Sequence, residues 1–127
     1  MVTIEEAHEI LDELAEELPQ EFYKELNGGI LLLPEVKISR EARANDLYTM
    51  GEYHYNFSMG RYIVLYFGSF EAVFQGASRE KLKRELRHTL RHEFTHHLET
   101  LAGEKGLEIK DEENLARYRH NLPMEKI

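Results

Sequence analysis

One segment, residues 78–103, constrains this chain more than any other: SREKLKRELRHTLRHEFTHHLETLAG. It is long, free of proline and periodic. At about 100° per residue, Leu82, Leu86, Leu90, Phe94, Leu98 and Leu101 gather into one broad apolar arc. His88, His92, His96 and Glu99 form a second stripe along one edge of that arc. Ser78 is the expected N-cap and Gly103 the expected stop. Such a helix must bury its arc, which leaves the histidine row at the border of whatever covers it. Lys81, Lys83, Arg84, Arg87 and Arg91 read as a solvated basic face, placed to meet an acidic partner helix. His88 reads as a surface histidine. His97 falls on the apolar arc and reads as a hydrogen-bonded core histidine.

The rest of the chain supplies the cover. Thr3 and Glu6 make a capping box, followed by Ile4, Ala7, Ile10, Leu11, Leu14 and Leu18 at helical spacing. Pro19 ends that helix and opens a short second one, PQEFYKELN, which stops at Gly28 and Gly29. ILLLPEVKI reads as a strand whose far half Pro34 demotes to an edge or turn. DLYTMGEYHYNFS and RYIVLYFGSF read as antiparallel strands joined at Met59 and Gly60. Tyr53, Tyr55 and Phe57 alternate with Glu52, His54 and Asn56, as in a sheet with one covered face. Asp111 is the expected N-cap of a last helix, EENLARYRHNL, ended by Pro123. The expected fold is therefore α+β: a small mixed or antiparallel sheet of about three strands on the long helix, flanked by N- and C-terminal helices. All 127 residues fit a single domain.

Composition narrows the function classes. The chain has no cysteine, so any metal must sit on histidine and carboxylate ligands. The longest apolar run, YIVLYF, is too short to span a membrane, and the acidic N-terminus is unlike a secretory signal. A cytoplasmic location is expected. The net charge of −8 arises in residues 1–26, where nine acids face Lys24 alone. That bias, and the lack of a basic stripe interleaved with aromatics, argue against nucleic acid as a partner.

The centre of the long helix reads His92-Glu93-Phe94-Thr95-His96, an HExxH pattern. Imidazoles at i and i+4 lie about 6 Å apart on one face and converge on a single zinc ion. The glutamate after the first histidine points slightly aside, where it reaches a metal-activated water as general base. Two neutral imidazoles leave the ion strongly positive, which suits a carboxylate as third ligand.

With those residues in view, the chain resembles the small bacterial zincin-like metallopeptidases, described as having a matrix-metalloprotease-like domain. The likeness is carried by LPQEFYKELNGGI, by DLYTMGEYHYNFSMGRYIVLYFGSF and by REKLKRELRHTLRHEFTHHLE, in that order, from about Leu18 to about Tyr118. It implies a zincin-like fold, zinc on His92 and His96, Glu93 as catalytic base, and hydrolysis of peptide bonds in a peptide or protein substrate. The family's third ligand is an aspartate just beyond a glycine. Here Glu99 stands at the glycine position and Ala102 at the aspartate position. The later piece GLEIKDEENL resembles the family segment that follows, and makes Asp111 the equivalent acid. Glu99, on the helix itself, and Glu112 are the competing third ligands. Met124 is a candidate for the turn that lies beneath some zinc sites.

Zincins commonly hold an extended peptide along a sheet edge beside the metal helix, and RYIVLYFGSF is the expected strand, with Gly68 allowing close backbone approach. His54, Tyr53, Tyr55 and Tyr66 are candidate oxyanion donors, each equally explained by packing. So small a chain lacks the second lobe that walls most protease clefts, which implies weak or restricted activity. The alternative is a non-catalytic, metal-containing module that binds a peptide or protein on the same scaffold.

Overall fold

A computed structural model describes residues 2–40 and 47–104; the expected C-terminal helix, Asp111, Glu112 and Met124 lie outside these residues. The described chain runs α1 (Ile4–Glu17), a 3-10 turn (Gln20–Tyr23), β1 (Gly29–Leu33), β2 (Gly51–Asn56), β3 (Gly60–Tyr66), α2 (Phe67–Val73) and α3 (Arg79–Glu104). It is an α+β fold with three helices and a mixed three-stranded sheet among the described residues.

The capping box forms as the sequence dictates. The Glu6 N–H donates to Thr3 Oγ1 at 3.2 Å, and the Thr3 N–H donates to the Glu6 carboxylate at 3.3 Å. α1 buries Ala7, Ile10, Leu11 and Leu14. Its acidic flank meets the basic face of α3: Glu13 pairs with Arg79 at 3.0 Å and Lys83 at 2.7 Å, and Glu17 with Arg87 at 2.9 Å. Pro19 breaks the helix, and the expected short second helix is reduced to a single 3-10 turn. That turn is tied back by the Tyr23 hydroxyl, which donates to the Ala15 carbonyl at 2.6 Å.

The sheet order is β1-β3-β2, with β1 parallel and β2 antiparallel to β3. Residues 57–59 close the β2–β3 hairpin. There Asn56 Oδ1 accepts from the Ser58 and Met59 amides at 2.8 and 3.2 Å, and Gly60 takes the positive φ of 76° that the turn requires. Register puts Ile30, Leu32, Tyr53, Ile63 and Leu65 on one face. These join Ile10, Leu14, Leu86, Leu90 and Phe94 in a single core between the sheet and the helices.

β1 stops at Leu33, and beyond Pro34 the far half is reduced, as the proline implied, with Ile38 bridging to Tyr48. Two sequence expectations need correction. RYIVLYFGSF is strand only to Tyr66, and the chain then turns directly into α2. Its aromatic composition mimics a strand, but Phe67, Gly68, Ser69 and Phe70 are buried as a helical turn. Gly68 does allow close approach, to the loop after β1: a Cβ there would lie 2.6 Å from the Glu35 carbonyl carbon. Finally, the Tyr53–Tyr55–Phe57 alternation has the right parity but is covered only at its start. Tyr53 packs on the core, whereas Tyr55 is 68% and Phe57 98% exposed, because the hairpin tip projects past its cover among the described residues. No helix among the described residues is long and apolar enough to cross a membrane.

Candidate metal centre on α3

The HExxH segment lies within a helix that packs against both β2 and β3. Helical spacing brings His92 and His96 together: their ring centroids are 4.9 Å apart and the rings perpendicular. Both are half-buried, at the border between core and surface, while His88 is exposed as expected. Glu93, between them in sequence, is only 2% exposed. Phe94 anchors the next position, with its ring 6.0 Å from Phe22 and 5.1 Å from Tyr23.

His97 is the core histidine that its place on the apolar arc implied. It is 0% exposed and bonded at both nitrogens. Nε2 lies 2.8 Å from the Lys24 carbonyl, which only accepts, so this nitrogen carries the proton. Nδ1 of the neutral ring then accepts from the Tyr53 hydroxyl at 2.7 Å. One side chain on α3 thus holds β2 and the turn after α1.

Among the described residues, no three histidine, aspartate or glutamate side chains come together as a metal-holding group. Glu99 is half-buried on α3 but does not close such a group with His92 and His96. Asp111 and Glu112, the other acids considered, lie outside the described residues. The pair fits a metal in spacing and donor chemistry, and it offers two ligands from one helical turn.

The strand expected to present a sheet edge does not. β3 is central and paired on both sides, so among the described residues the edges are β1 and β2. β2 is the edge that lies against α3, and a glycine permits this: a Cβ at Gly51 would stand 2.8 Å from Thr89 Cγ2.

No protein-family model and no curated protein matches the chain. Among solved structures, a conserved hypothetical protein from Thermo thermophilus is similar, with 33% identity and a TM-score of 0.66. The match covers 80% of this chain and 99% of that one. The chain belongs to the family of that protein. The relationship carries the fold and assigns no chemistry.

Within this family fold, a second polar cluster was not apparent from sequence. On the sheet face opposite the core, the Glu52 carboxylate accepts from Lys37 Nζ at 2.6 Å, the Tyr66 hydroxyl at 2.6 Å and His54 Nε2 at 2.9 Å. Burial pushes the Glu52 carboxyl up, but the three hydrogen bonds outweigh it and hold the group at about 2. Burial, and then the Glu52 carboxylate, push the Tyr66 phenol up. The loop bearing Lys37 is fixed from both sides: its amide donates to Ser69 Oγ at 3.0 Å, and its carbonyl accepts from the Thr49 amide at 2.8 Å. Hairpin parity would have put Glu52, His54 and Tyr66 on one face. Nothing periodic in the sequence brings Lys37 there. Of the candidate oxyanion donors, Tyr53 is engaged with His97 and both His54 and Tyr66 with Glu52. Tyr55 is exposed at the hairpin tip, stacked by Arg61 at 5.3 Å.

Proposed function

We propose that this protein is a zinc-dependent metallopeptidase with a zincin-like arrangement, acting in the cytoplasm on a peptide or protein substrate. The observation that carries the reading is the His92–His96 pair, rings 4.9 Å apart, bracketing a glutamate that is almost wholly buried. His92 and His96 are the helix-borne zinc ligands, with Asp111 as the third. When bound, zinc would supply Lewis-acid chemistry, polarising a carbonyl and lowering the pKa of a water. Glu93 would serve as the general base, accepting a proton from the attacking water and passing it to the leaving amine. Burial of Glu93 limits the rotamers open to its carboxylate, which favours preorganisation of a general base. The β2 edge pairs with the main chain of an extended substrate, a sequence-tolerant mode of recognition. The acidic N-terminal segment argues against a nucleic-acid substrate.

The test is metal and activity together. The full-length chain should hold one equivalent of zinc, and His92→Ala should abolish it. Glu93→Gln should keep the zinc and lose chelator-sensitive peptide cleavage by about 10²-fold or more. A second reading, a non-catalytic metal-containing module that binds peptide or protein, is favoured by the exposed Tyr55 and Phe57 at the end of β2. A zinc-loaded wild type that cleaves nothing in a broad peptide library would establish that alternative over the first.

A further inference from the structure

We infer that His97 is a positioning residue that fixes the register between the histidine pair of α3 and the β2 edge, and so sets where an extended peptide crosses His92 and His96. This rests on the metallopeptidase reading and adds to it a role for a side chain that would touch neither metal nor substrate.

The argument begins with what His97 joins. It follows His96 directly, and its two ring nitrogens bond to two separate pieces of chain. Tyr53, on β2, donates at 2.7 Å, and Lys24, at the end of the 3-10 turn, accepts at 2.8 Å. The Lys24 carbonyl is presented by a constrained backbone, since Glu25 has a φ of 61°, a left-handed conformation that non-glycine residues rarely adopt. A leucine or phenylalanine would fill the same buried volume without requiring two partners. Satisfied buried polar groups of this kind contribute directionality more than net stability.

Directionality is what the site requires. The helix alone fixes the distance between His92 and His96 but says nothing about how α3 is rotated against the sheet. Side-chain ends stand roughly 5–6 Å from a helix axis, so a rotation of about 20° moves them by about 2 Å. Misplacement of about 1 Å between substrate and reacting groups can cost about 10²-fold. Burial of Leu86, Leu90 and Phe94 is a non-directional force, whereas a two-ended hydrogen-bonded clasp has a preferred direction at each end.

Two probes separate this role from simple stabilisation. Acetohydroxamate would contact the zinc alone, whereas a tripeptide hydroxamate adds an extended backbone for β2. Wild-type zinc protein is expected to bind the tripeptide probe at least about tenfold tighter than acetohydroxamate. Tyr53→Phe, which keeps the ring and removes the donor, should lose most of that gain with zinc content and acetohydroxamate affinity intact. His97→Leu should lose it too, and if that variant fails to fold, Tyr53→Phe decides alone. His97→Gln, whose amide offers one acceptor and one donor, should restore part. Arg87→Ala loosens the α1–α3 contact away from the clasp and should keep the full gain.

Full gain in Tyr53→Phe overturns the inference, as does an equal loss in Arg87→Ala, which would reduce the effect to stability. Wild type that fails to bind zinc or acetohydroxamate overturns the metal reading. Wild type that binds both but gains nothing from the tripeptide overturns β2 docking. Each of these last two results takes the inference with it and is distinct from a wild-type-like Tyr53→Phe.

Discussion

Thr89 of α3 stands directly over Gly51 of β2, so close that a Cβ on the glycine would lie 2.8 Å from Thr89 Cγ2 and 3.0 Å from Leu65 Cδ2. The edge strand reaches the helix because this position has no side chain. Gly51→Ala should therefore destabilise the fold by about 1–3 kcal/mol, the usual cost of overpacking. Adding Thr89→Ser, which deletes the opposing methyl, should recover part of the loss. Urea denaturation of both variants checks this, and a single variant as stable as wild type would contradict the close approach.

The Glu52 cluster predicts an acid-side dependence. Its carboxyl is held at about 2 against an ordinary 4.5, so its stabilising share is complete above 4.5 and declines as pH falls toward about 2. Glu52→Gln should flatten that limb of the thermal-midpoint profile. At neutral pH it should cost about 1 kcal/mol, a figure reduced because Lys37 and His54 are partly exposed. Parallel profiles for variant and wild type would show that Glu52 does not carry the effect.

The α1–α3 ion pairs should behave as surface electrostatics. Glu17 receives two bonds from Arg87 at 2.9 Å, which hold its carboxyl below the usual range. Arg87→Ala should lower the thermal midpoint in dilute buffer, and the gap should shrink near 1 M salt, where the screening length is about 3 Å. A salt-independent gap would point to packing of the arginine stem instead.

The third zinc ligand is open to a direct comparison. On the metallopeptidase reading, Asp111→Ala should weaken zinc binding by about 10²-fold or more, and Glu99→Gln by about tenfold at most, as expected for a group that only orients a ligand. The reverse order in a chelator competition would transfer the role to Glu99.

The elements that could be read from sequence were those governed by local rules. Thr3 and Glu6 specified a cap, Pro19 and Pro34 specified stops, and the leucine period specified α3 with His97 turned inward. The errors arose where tertiary context decides. The segment 67–70 is equally apolar as strand or helix, and its close approach to the loop after β1, where Gly68 packs on Glu35, is a tertiary contact that the local sequence does not encode. Strand order is also non-local, so β3 was expected at an edge that belongs to β2. For the candidate site, the His92–His96 spacing followed from the helix itself. Lys37 beside Glu52, and Tyr53 and Lys24 around His97, come from other segments of the chain, and no period in the sequence encodes those meetings.

Because β3 lies between its two partners, the sheet cannot assemble in chain order. β1 is made first, yet Gly29 must wait for Tyr62, whereas β2 meets β3 across the short turn at residues 57–59. Closing the short hairpin loop costs less entropy than the long parallel crossover. The hairpin should therefore zip first and then serve as the template on which β1 docks. Pulse-labelled hydrogen exchange during refolding should protect β2–β3 amides before those of β1, and simultaneous protection would contradict that order.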